Sequence, residues 1–284
     1  MERVNILYRG PLSSCNYSCH YCPFAKRRET ASELVHDRDC LKRFVRWLEV
    51  RTHRQHGVLF TPWGEALVRS WYRAAIVQLS HMEHVARVAI QTNLSATLNW
   101  LNEANLERVA FWCTFHPQEV TRARFLRQCQ RLETAGARYS VGCVGLPQHA
   151  DEIRSLRDEL PAHVYLWINA YKSKDRPTDE RLSELFTQID ALYPVNAKYH
   201  QSRGQECDTG RTTVSVDGQG NIRRCHFVQE ILGNMYEQEL DALLFRRPCP
   251  NATCGCHIGY VHMPALKLKP LFRQNILERI LSSS

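Results

Sequence analysis

The sequence predicts an α/β fold, in which an open, partial (β/α)6 barrel precedes a small cysteine-rich α+β extension. Three observations lead to this prediction. Six strand-like segments are followed by apolar residues at helical spacing, and repeated strand-helix units favour a parallel sheet with right-handed crossovers. Six units are too few for a closed barrel of eight strands. The alternation ends after Tyr193-Pro194, where a different pattern begins.

Each element of the barrel has a local signature. The six predicted strands cover 3–8, 58–61, 85–92, 109–115, 138–145 and 163–170. The crossover helices show apolar residues that return to one face, as Leu41, Phe44 and Leu48 do in the first. Gly136, directly after Ala135, is typical of a helix end. Because parallel strands end at one edge, we expect the chemistry at their carboxyl ends.

The region after the barrel has its own signals. Residues 212–216 form a strand pattern that turns at Asp217-Gly218 toward Asn221-Ile222, which predicts a hairpin. A short helix is predicted near 239–245, and a cysteine-rich stretch follows. We therefore divide the chain into a barrel core, 1–193, and an extension, 194–284. The extension is poor in periodic apolar residues, so a metal would be a physical reason for its stability.

The composition fits a folded protein of 284 residues, whose 37 basic and 29 acidic side chains give a formal charge of +8. No apolar run exceeds five residues, whereas a membrane span needs about 20. The first residues lack the apolar core of a secretion signal. We therefore expect a soluble, cytoplasmic protein without membrane contact. The basic residues are dispersed without interleaved aromatic residues, so a nucleic-acid partner is not expected.

Twelve cysteines in a chain expected in a reducing compartment indicate metal ligation rather than disulfides. Cys15, Cys19 and Cys22 lie on one short loop after the first strand, with the spacing C-x3-C-x2-C. Three thiolates can bind three irons of a cubane 4Fe-4S cluster, which leaves the fourth iron open. An open position is typical of a catalytic metal site. Zinc is the alternative, although His20, adjacent to Cys19, is poorly placed as a fourth ligand.

This loop resembles that of the radical SAM superfamily, in which C-x3-C-x-aromatic-C follows the first strand of a partial (β/α)6 barrel. Tyr21 fills the aromatic position, and the resemblance covers about 1–193. It implies that Cys15, Cys19 and Cys22 hold a catalytic 4Fe-4S cluster whose open iron is chelated by S-adenosylmethionine. It also implies that an electron from the reduced cluster cleaves the sulfonium bond to give methionine and a 5′-deoxyadenosyl radical.

Polar residues at other strand ends are assigned to the cofactor by the same resemblance. Gly64-Glu65 resembles the glycine-glycine-glutamate segment that binds the methionine amino group, with Trp63 in place of the first glycine. A glycine allows close backbone approach, and a carboxylate adds charge-assisted hydrogen bonding to an ammonium. The alternative is an ordinary strand-to-helix turn with Glu65 in the first helical turn. The other cofactor-binding candidates are Tyr21, Asn93, Thr114, His116 and Asn169.

A second group of cysteines lies in the extension, at Cys207, Cys225, Cys249, Cys254 and Cys256. The spacing C-x12-G-x4-C from Cys207 to Cys225 resembles the SPASM or shorter twitch extension of radical SAM enzymes, which implies an auxiliary 4Fe-4S cluster. Five cysteines suffice for one four-ligand cluster but not for two. We expect Cys207 and Cys225 as ligands with two of the other three, and the sequence leaves open which one is spare. A structural zinc site is the alternative.

Taken together, the resemblance implies a radical SAM enzyme of oxidoreductase or maturase type, which abstracts hydrogen from a substrate over the barrel mouth. A peptide or protein is the first expectation for the substrate, and dehydrogenation or rearrangement of a small metabolite is the second. Two hypotheses of another class are an iron-sulfur electron-transfer protein and a zinc-stapled interaction module. We expect flavodoxin or ferredoxin as the electron donor, and part of the positive charge would favour docking of such an acidic protein.

Overall fold

The computed structural model describes residues 3–172 and 179–282. Its centre is a parallel sheet whose six strands follow one another in chain order, which confirms the predicted open barrel. Each predicted strand is present within a few residues of its expected bounds. The strands are β1 Val4–Arg9, β2 His56–Phe60, β3 Val85–Thr92, β4 Val109–Phe115, β5 Arg138–Gly145 and β6 Leu166–Ala170.

Helices cover the outer face of this sheet. They are α1 Ala31–Glu49, α2 Ser70–Ser80, α3 Arg122–Thr134, α4 Ala150–Glu159, α5 Glu180–Ile189 and the short α6 Tyr193–Asn196. Thr30 and Glu33 form a capping box at the start of α1. Gly136 adopts φ 73° after α3, which confirms the predicted helix end. Between β3 and β4 the chain forms a 3-10 helix, Asn99–Glu103, in place of a full α-helix, because only a short segment joins these strands.

The region after residue 193 continues the same sheet. Strand β8, Thr213–Asp217, pairs in parallel with β1, and β9, Asn221–Arg223, returns antiparallel to β8, which confirms the predicted hairpin. Strand β10, Ile231–Asn234, then pairs with β9. A separate small sheet joins β7, His200–Gln201, to β11, Thr253–Cys254. The remaining helices are α7 Leu240–Leu243, α8 His257–Tyr260 and α9 Lys269–Phe272. The boundary at residue 193 stays a prediction.

Side chains alternate between the two faces of the strands, and this alternation produces two apolar cores. Outward side chains such as Ile6 and Val58 pack under the helices. Inward side chains from successive strands pack instead against the C-terminal segment, 258–277, whose buried residues include Phe272 and Leu277. The C-terminal segment therefore fills the interior of the barrel. Deeper still, Glu278 is fully buried, with Oε1 3.0 Å from Nε of Arg87.

Among the described residues, no helix has the length and apolar character needed to cross a membrane.

Candidate active site

The cysteine loop after β1 is held by two carboxylates. Glu29 accepts hydrogen bonds from the backbone N–H of Ser13 and from that of Ser14, the latter at 3.0 Å. Asp37, on α1, accepts from the backbone N–H of Leu12 at 3.0 Å. Asp37 is itself held by the side chains of Trp71 and Tyr72 on α2. These bonds fix the chain directly before Cys15, so the loop is positioned by the first two helices of the barrel.

Cys15, Cys19 and Cys22 line one cavity at the carboxyl ends of the strands. Nδ1 of His116, at the end of β4, lies 3.4 Å from Sγ of Cys19 and 2.8 Å from the Tyr21 hydroxyl. Burial lowers the pKa of His116 to about 4, so its ring is neutral near pH 7. Burial raises the pKa of Cys19 to about 11, so a metal must displace its proton.

The described residues contain no group of three or more His, Cys, Asp or Glu side chains placed to hold a single metal ion. In a 4Fe-4S cluster each cysteine binds a different iron, so the sulfurs lie further apart than ligands of one ion. A zinc site would instead require four ligands around one centre. The three thiols on one cavity wall therefore fit a cluster better than a single ion.

Glu65 is buried in the wall of the same cavity, at 3% exposure. Its carboxylate accepts hydrogen bonds from the Thr92 hydroxyl at 2.8 Å and from the backbone N–H groups of Asn93 and Leu67 at 2.6 and 3.0 Å. Burial raises its pKa to about 7. No cationic side chain among the described residues pairs with it. A buried carboxylate that lacks a cation fits the ammonium group of an amino-acid cofactor.

Glycine is required at position 64 for a steric reason, which differs from the cofactor contact that the sequence suggests. A Cβ at this position would lie 1.8 Å from the backbone oxygen of Ser14. The backbone N–H of Glu65 donates to that same oxygen at 3.0 Å. Glycine is therefore required because the turn after β2 packs directly on the cysteine loop. The neighbouring Trp63 is partly exposed and packs against Phe24, with ring centroids 4.3 Å apart and the ring planes tilted by 51°.

The structure brings most of the other predicted cofactor residues to this cavity. Asn93, Thr114, His116 and Asn169 all line it. The Asn93 amide reaches toward Cys15, with Nδ2 3.7 Å from Sγ. Tyr21 differs from them, because its ring packs between His116 and His149 and is not part of the cavity wall.

The cysteines of the extension influence one another electrostatically. The charges of Cys207 and Cys249 raise the pKa of Cys225, and those of Cys225, Cys256 and Cys207 raise that of Cys254. Burial is the main cause of both shifts, which take Cys225 to about 11 and Cys254 to about 12. Cys256 is different, because its exposed side chain faces the cavity that contains Cys15.

Several residues that sequence reasoning missed form the floor of the cavity. Trp112 on β4 and Trp167 on β6 lie inside the barrel, with ring centroids 5.7 Å apart, and Arg279 packs against both. Strand alternation could have identified the two tryptophans, because each lies two residues before a predicted site residue, Thr114 and Asn169. No sequence signal places Arg279 beside them.

No protein-family model matches the chain, and no curated protein matches it in sequence. Among solved structures it is similar to a hexahistidine-tagged form of anSMEcpe with bound AdoMet, with 12% identity over 85% of this chain and 79% of that chain, and a TM-score of 0.56. Native anSMEcpe with bound AdoMet and Cp18Cys peptide gives 12% identity, 84% and 81% coverage, and a TM-score of 0.56. BtrN in complex with AdoMet and 2-DOIA gives 18% identity, 86% and 83% coverage, and a TM-score of 0.40. On the strength of these anSMEcpe structures, the chain has the fold of anSMEcpe.

Proposed function

We propose that this protein is a radical SAM enzyme. The observation that carries the proposal is that three loop cysteines and a buried carboxylate without a cation, Glu65, share one cavity at the carboxyl ends of the barrel strands. Cys15, Cys19 and Cys22 would hold a 4Fe-4S cluster, and Glu65 would bind the ammonium group of S-adenosylmethionine. When both are bound, the reduced cluster would supply the electron that cleaves the cofactor to a 5′-deoxyadenosyl radical.

The protein's own residues bind, orient and shield in this proposal. Glu29 and Asp37 accept hydrogen bonds from the backbone of residues 12–14, which orients the start of the cysteine loop. Asn93 and Thr114 offer hydrogen-bonding groups beside Glu65 for the remaining polar groups of the cofactor. The C-terminal segment closes the barrel from within, which keeps bulk water from the floor of the cavity.

We propose a second 4Fe-4S cluster, bound by Cys207, Cys225, Cys249 and Cys254. The charges of Cys207 and Cys249 act on Cys225, and those of Cys225, Cys256 and Cys207 act on Cys254, which supports a site shared by neighbouring thiols of the extension. Cys256 lies apart from the set, on the wall of the catalytic cavity. His226, next to Cys225, connects this region to the barrel, because its ring nitrogens contact the hydroxyls of Thr61 and Ser215 at 2.8 and 2.5 Å. An auxiliary cluster here would be rigidly attached to the sheet.

For the substrate, we propose a peptide or protein, and the alternative is a small metabolite. The presence of a peptide beside AdoMet in a similar structure supports the first option.

The proposed electron donor is an acidic protein such as flavodoxin or ferredoxin in the cytoplasm. Arg211, Arg246 and Arg247 line a surface pocket together with Cys207. Asp208 and Glu206 in the same lining pair with Arg211 and Arg246, so the net positive charge that this pocket offers an acidic donor is that of Arg247. Donor-dependent turnover at low and high salt tests this, and a salt-independent rate would exclude it.

Anaerobic reconstitution with iron and sulfide tests the function. The wild-type chain should bind about eight irons and form 5′-deoxyadenosine from S-adenosylmethionine and dithionite. Changing Cys15, Cys19 and Cys22 together to Ala should leave about four irons and abolish the product. As a matched control, the same change at the buried Cys40, Cys113 and Cys129 should retain about eight irons.

The two other hypotheses predict different results in the same experiment. An iron-sulfur electron carrier would bind iron and yield no 5′-deoxyadenosine. A zinc-stapled module would be isolated with zinc and would remain colourless. Either outcome in the wild-type chain would reject the enzyme proposal.

A further inference from the structure

The guanidinium of Arg279 lies at the floor of the catalytic cavity and has no charged partner among the residues that the structure describes. The residue is 1% exposed, yet it lines the cavity that contains the loop cysteines. Its Cζ lies 4.4 Å from the ring centroid of Trp167 and 5.6 Å from that of Trp112. Its backbone adopts φ 53°, in the left-handed region that disfavours residues other than glycine. The position of this side chain is thus fixed by aromatic packing inside the barrel.

Two buried carboxylates, Asp190 and Glu278, are occupied by other partners than Arg279. Asp190 accepts from the Tyr165 hydroxyl at 2.8 Å and from the backbone N–H of Ile168 at 2.9 Å. Glu278 pairs with Arg87. Within residues 3–172 and 179–282, no ion pair includes Arg279, and its Nε–H has no hydrogen-bond partner. The cation is therefore buried without a counter-charge in the described part of the chain.

Glu65 lines the same cavity, but the charge of Arg279 is not among the causes of its pKa shift and no ion pair between the two is present in the described part of the chain. Nε2 of His257, on the same cavity wall, is also buried without a hydrogen-bond partner. Burial lowers the pKa of His257 well below its usual range, so this ring is neutral. Lys172 donates to the backbone oxygen of Gly255. Burial raises the pKa of Cys256, and the positive charges of Arg279, Arg9 and Lys172 oppose that rise, so further cations surround this part of the cavity. An oxyanion in this space would find one open guanidinium, with a neutral imidazole beside it.

A buried cation without a counter-ion is costly, and packing on two indoles compensates only part of that cost. We propose that Arg279 binds an oxyanion of the substrate, a carboxylate or a phosphate, inside the barrel; this inference rests on the radical SAM function proposed above. A planar guanidinium can hold either group through two parallel hydrogen bonds. The substrate would thus be anchored at one end by Arg279, with its reacting part toward the cysteine loop.

The depth of Arg279 favours the substrate over the carboxylate of S-adenosylmethionine as the source of the anion. Trp112 and Trp167 each precede a strand-end residue of the cavity, Thr114 and Asn169, by two positions. Two residues along a strand span about 6–7 Å. Arg279 therefore lies one layer below the strand ends at which Glu65 and Asn93 would receive the cofactor.

Equilibrium dialysis with radiolabelled inorganic phosphate tests the anion site on the anaerobically reconstituted enzyme. The wild-type enzyme should show one saturable site, Arg279→Met should weaken it at least tenfold, and Arg279→Lys should retain part of the affinity. Arg181→Met, an exposed arginine on α5, is the matched control and should bind phosphate like the wild type. Competition by unlabelled acetate would distinguish a preference for carboxylate from one for phosphate. Equal phosphate binding by wild type and Arg279→Met would overturn the proposal.

Affinity for S-adenosylmethionine, measured on the same variants, separates the two sources of the anion. We expect Arg279→Met to change this affinity less than threefold. A tenfold loss would assign Arg279 to the cofactor carboxylate and overturn the substrate assignment. If Arg279→Met does not fold, Arg279→Lys decides by the same two measurements. Phosphate binding does not require cofactor cleavage, so the two proposals can fail separately. If phosphate binds at one site but no 5′-deoxyadenosine forms, only the proposed function is rejected. Product formation without a phosphate site rejects only this inference.

Discussion

The side chain of Glu65 connects the ends of strands β2 and β3 through hydrogen bonds and also lines the cavity. Its oxygens accept three hydrogen bonds from residues after β2 and from the end of β3, so the carboxylate cannot turn away from its position. None of these donors carries a charge. The cost of burial is therefore only partly offset, and the pKa of Glu65 rises to about 7. A cation that enters the cavity would favour the ionised form.

This shift predicts pH-dependent cofactor binding. In the proposed function, the ammonium group of S-adenosylmethionine would pair with the ionised carboxylate, and protonation of Glu65 below its pKa would remove that pair. For a pKa of about 7, the ionised fraction rises about tenfold between pH 6 and pH 8. The α-amino group itself loses its proton near pH 7.7–8.0, so we expect affinity for S-adenosylmethionine, measured by equilibrium dialysis, to increase by a smaller factor, about three- to fivefold, over this range.

Glu65→Gln should bind the cofactor weakly and without this pH dependence. The matched control is Glu119→Gln, which removes the same charge close to the loop, where Glu119 accepts from the backbone N–H of Ser18 at 3.0 Å. That control should keep the wild-type profile. A wild-type affinity that is constant from pH 6 to pH 8 would contradict the assignment of Glu65 to the ammonium group.

At the scale of elements, the turn after β2 and the cysteine loop form one packed unit. The backbone N–H groups of Trp63 and Glu65 donate to the oxygens of Leu12 and Ser14 at 3.2 and 3.0 Å. Gly64 lies between these two bonds, directly on the loop backbone. A displacement of the turn would therefore also displace the backbone of the cysteine loop, because the two segments contact each other through backbone atoms.

Gly64→Ala should move the loop and impair iron binding. The added Cβ would lie 1.8 Å from the Ser14 oxygen, and backbone cannot yield as a flexible side chain does. We expect the free energy of unfolding to fall by about 1–3 kcal/mol, and the catalytic cluster to be lost on reconstitution. Iron analysis and denaturant unfolding measure the two effects.

Gly136→Ala is the control for this change. At Gly136 an added Cβ has no atom within 4 Å, and only the φ of 73° opposes it. The expected cost is about 1–2 kcal/mol of stability, with full iron content. If Gly64→Ala also retained all its iron, the packing of the turn on the loop would not matter for the metal site.

At the scale of the whole molecule, the sheet and the inner core cross the predicted boundary at residue 193. Strand β8 occupies the edge of β1, which would otherwise be open. Inward residues such as Leu7 and Trp112 pack on Phe272 and its neighbours from the C-terminal segment. The part of the chain after residue 193 therefore completes both the sheet and the core of the barrel.

The segment 1–193, expressed alone, should not form a stable monomer. It would expose an unpaired strand edge at β1 and the apolar inner face of the barrel, both of which favour aggregation. Size-exclusion chromatography and circular dichroism during unfolding are the measurements. In the full chain, Phe272→Ala should lower the free energy of unfolding by about 3–5 kcal/mol. A soluble 1–193 that unfolds cooperatively would show that the barrel needs no support from the extension.

The local spacing of residues in the sequence was enough to predict the six strands, the hairpin at 213–223 and the three-cysteine loop. Strand alternation, turn residues and cysteine spacing are properties of neighbouring residues, so they can be read without knowledge of distant contacts. The position of Glu65 at a strand end follows from the same local order. The reason for Gly64 does not, because the atom that excludes a side chain belongs to Ser14, about 50 residues earlier.

The tertiary structure alone decided which cysteine of the extension lines the cavity and what lies at its floor. Cys254 and Cys256 are separated by one residue, yet Cys256 lines the cavity that contains Cys15 and Cys254 does not. Arg279 reaches the tryptophans of β4 and β6 across more than 100 residues of chain. Such contacts depend on how the C-terminal segment packs inside the barrel, and that packing is set by the shape of the whole core rather than by any local pattern.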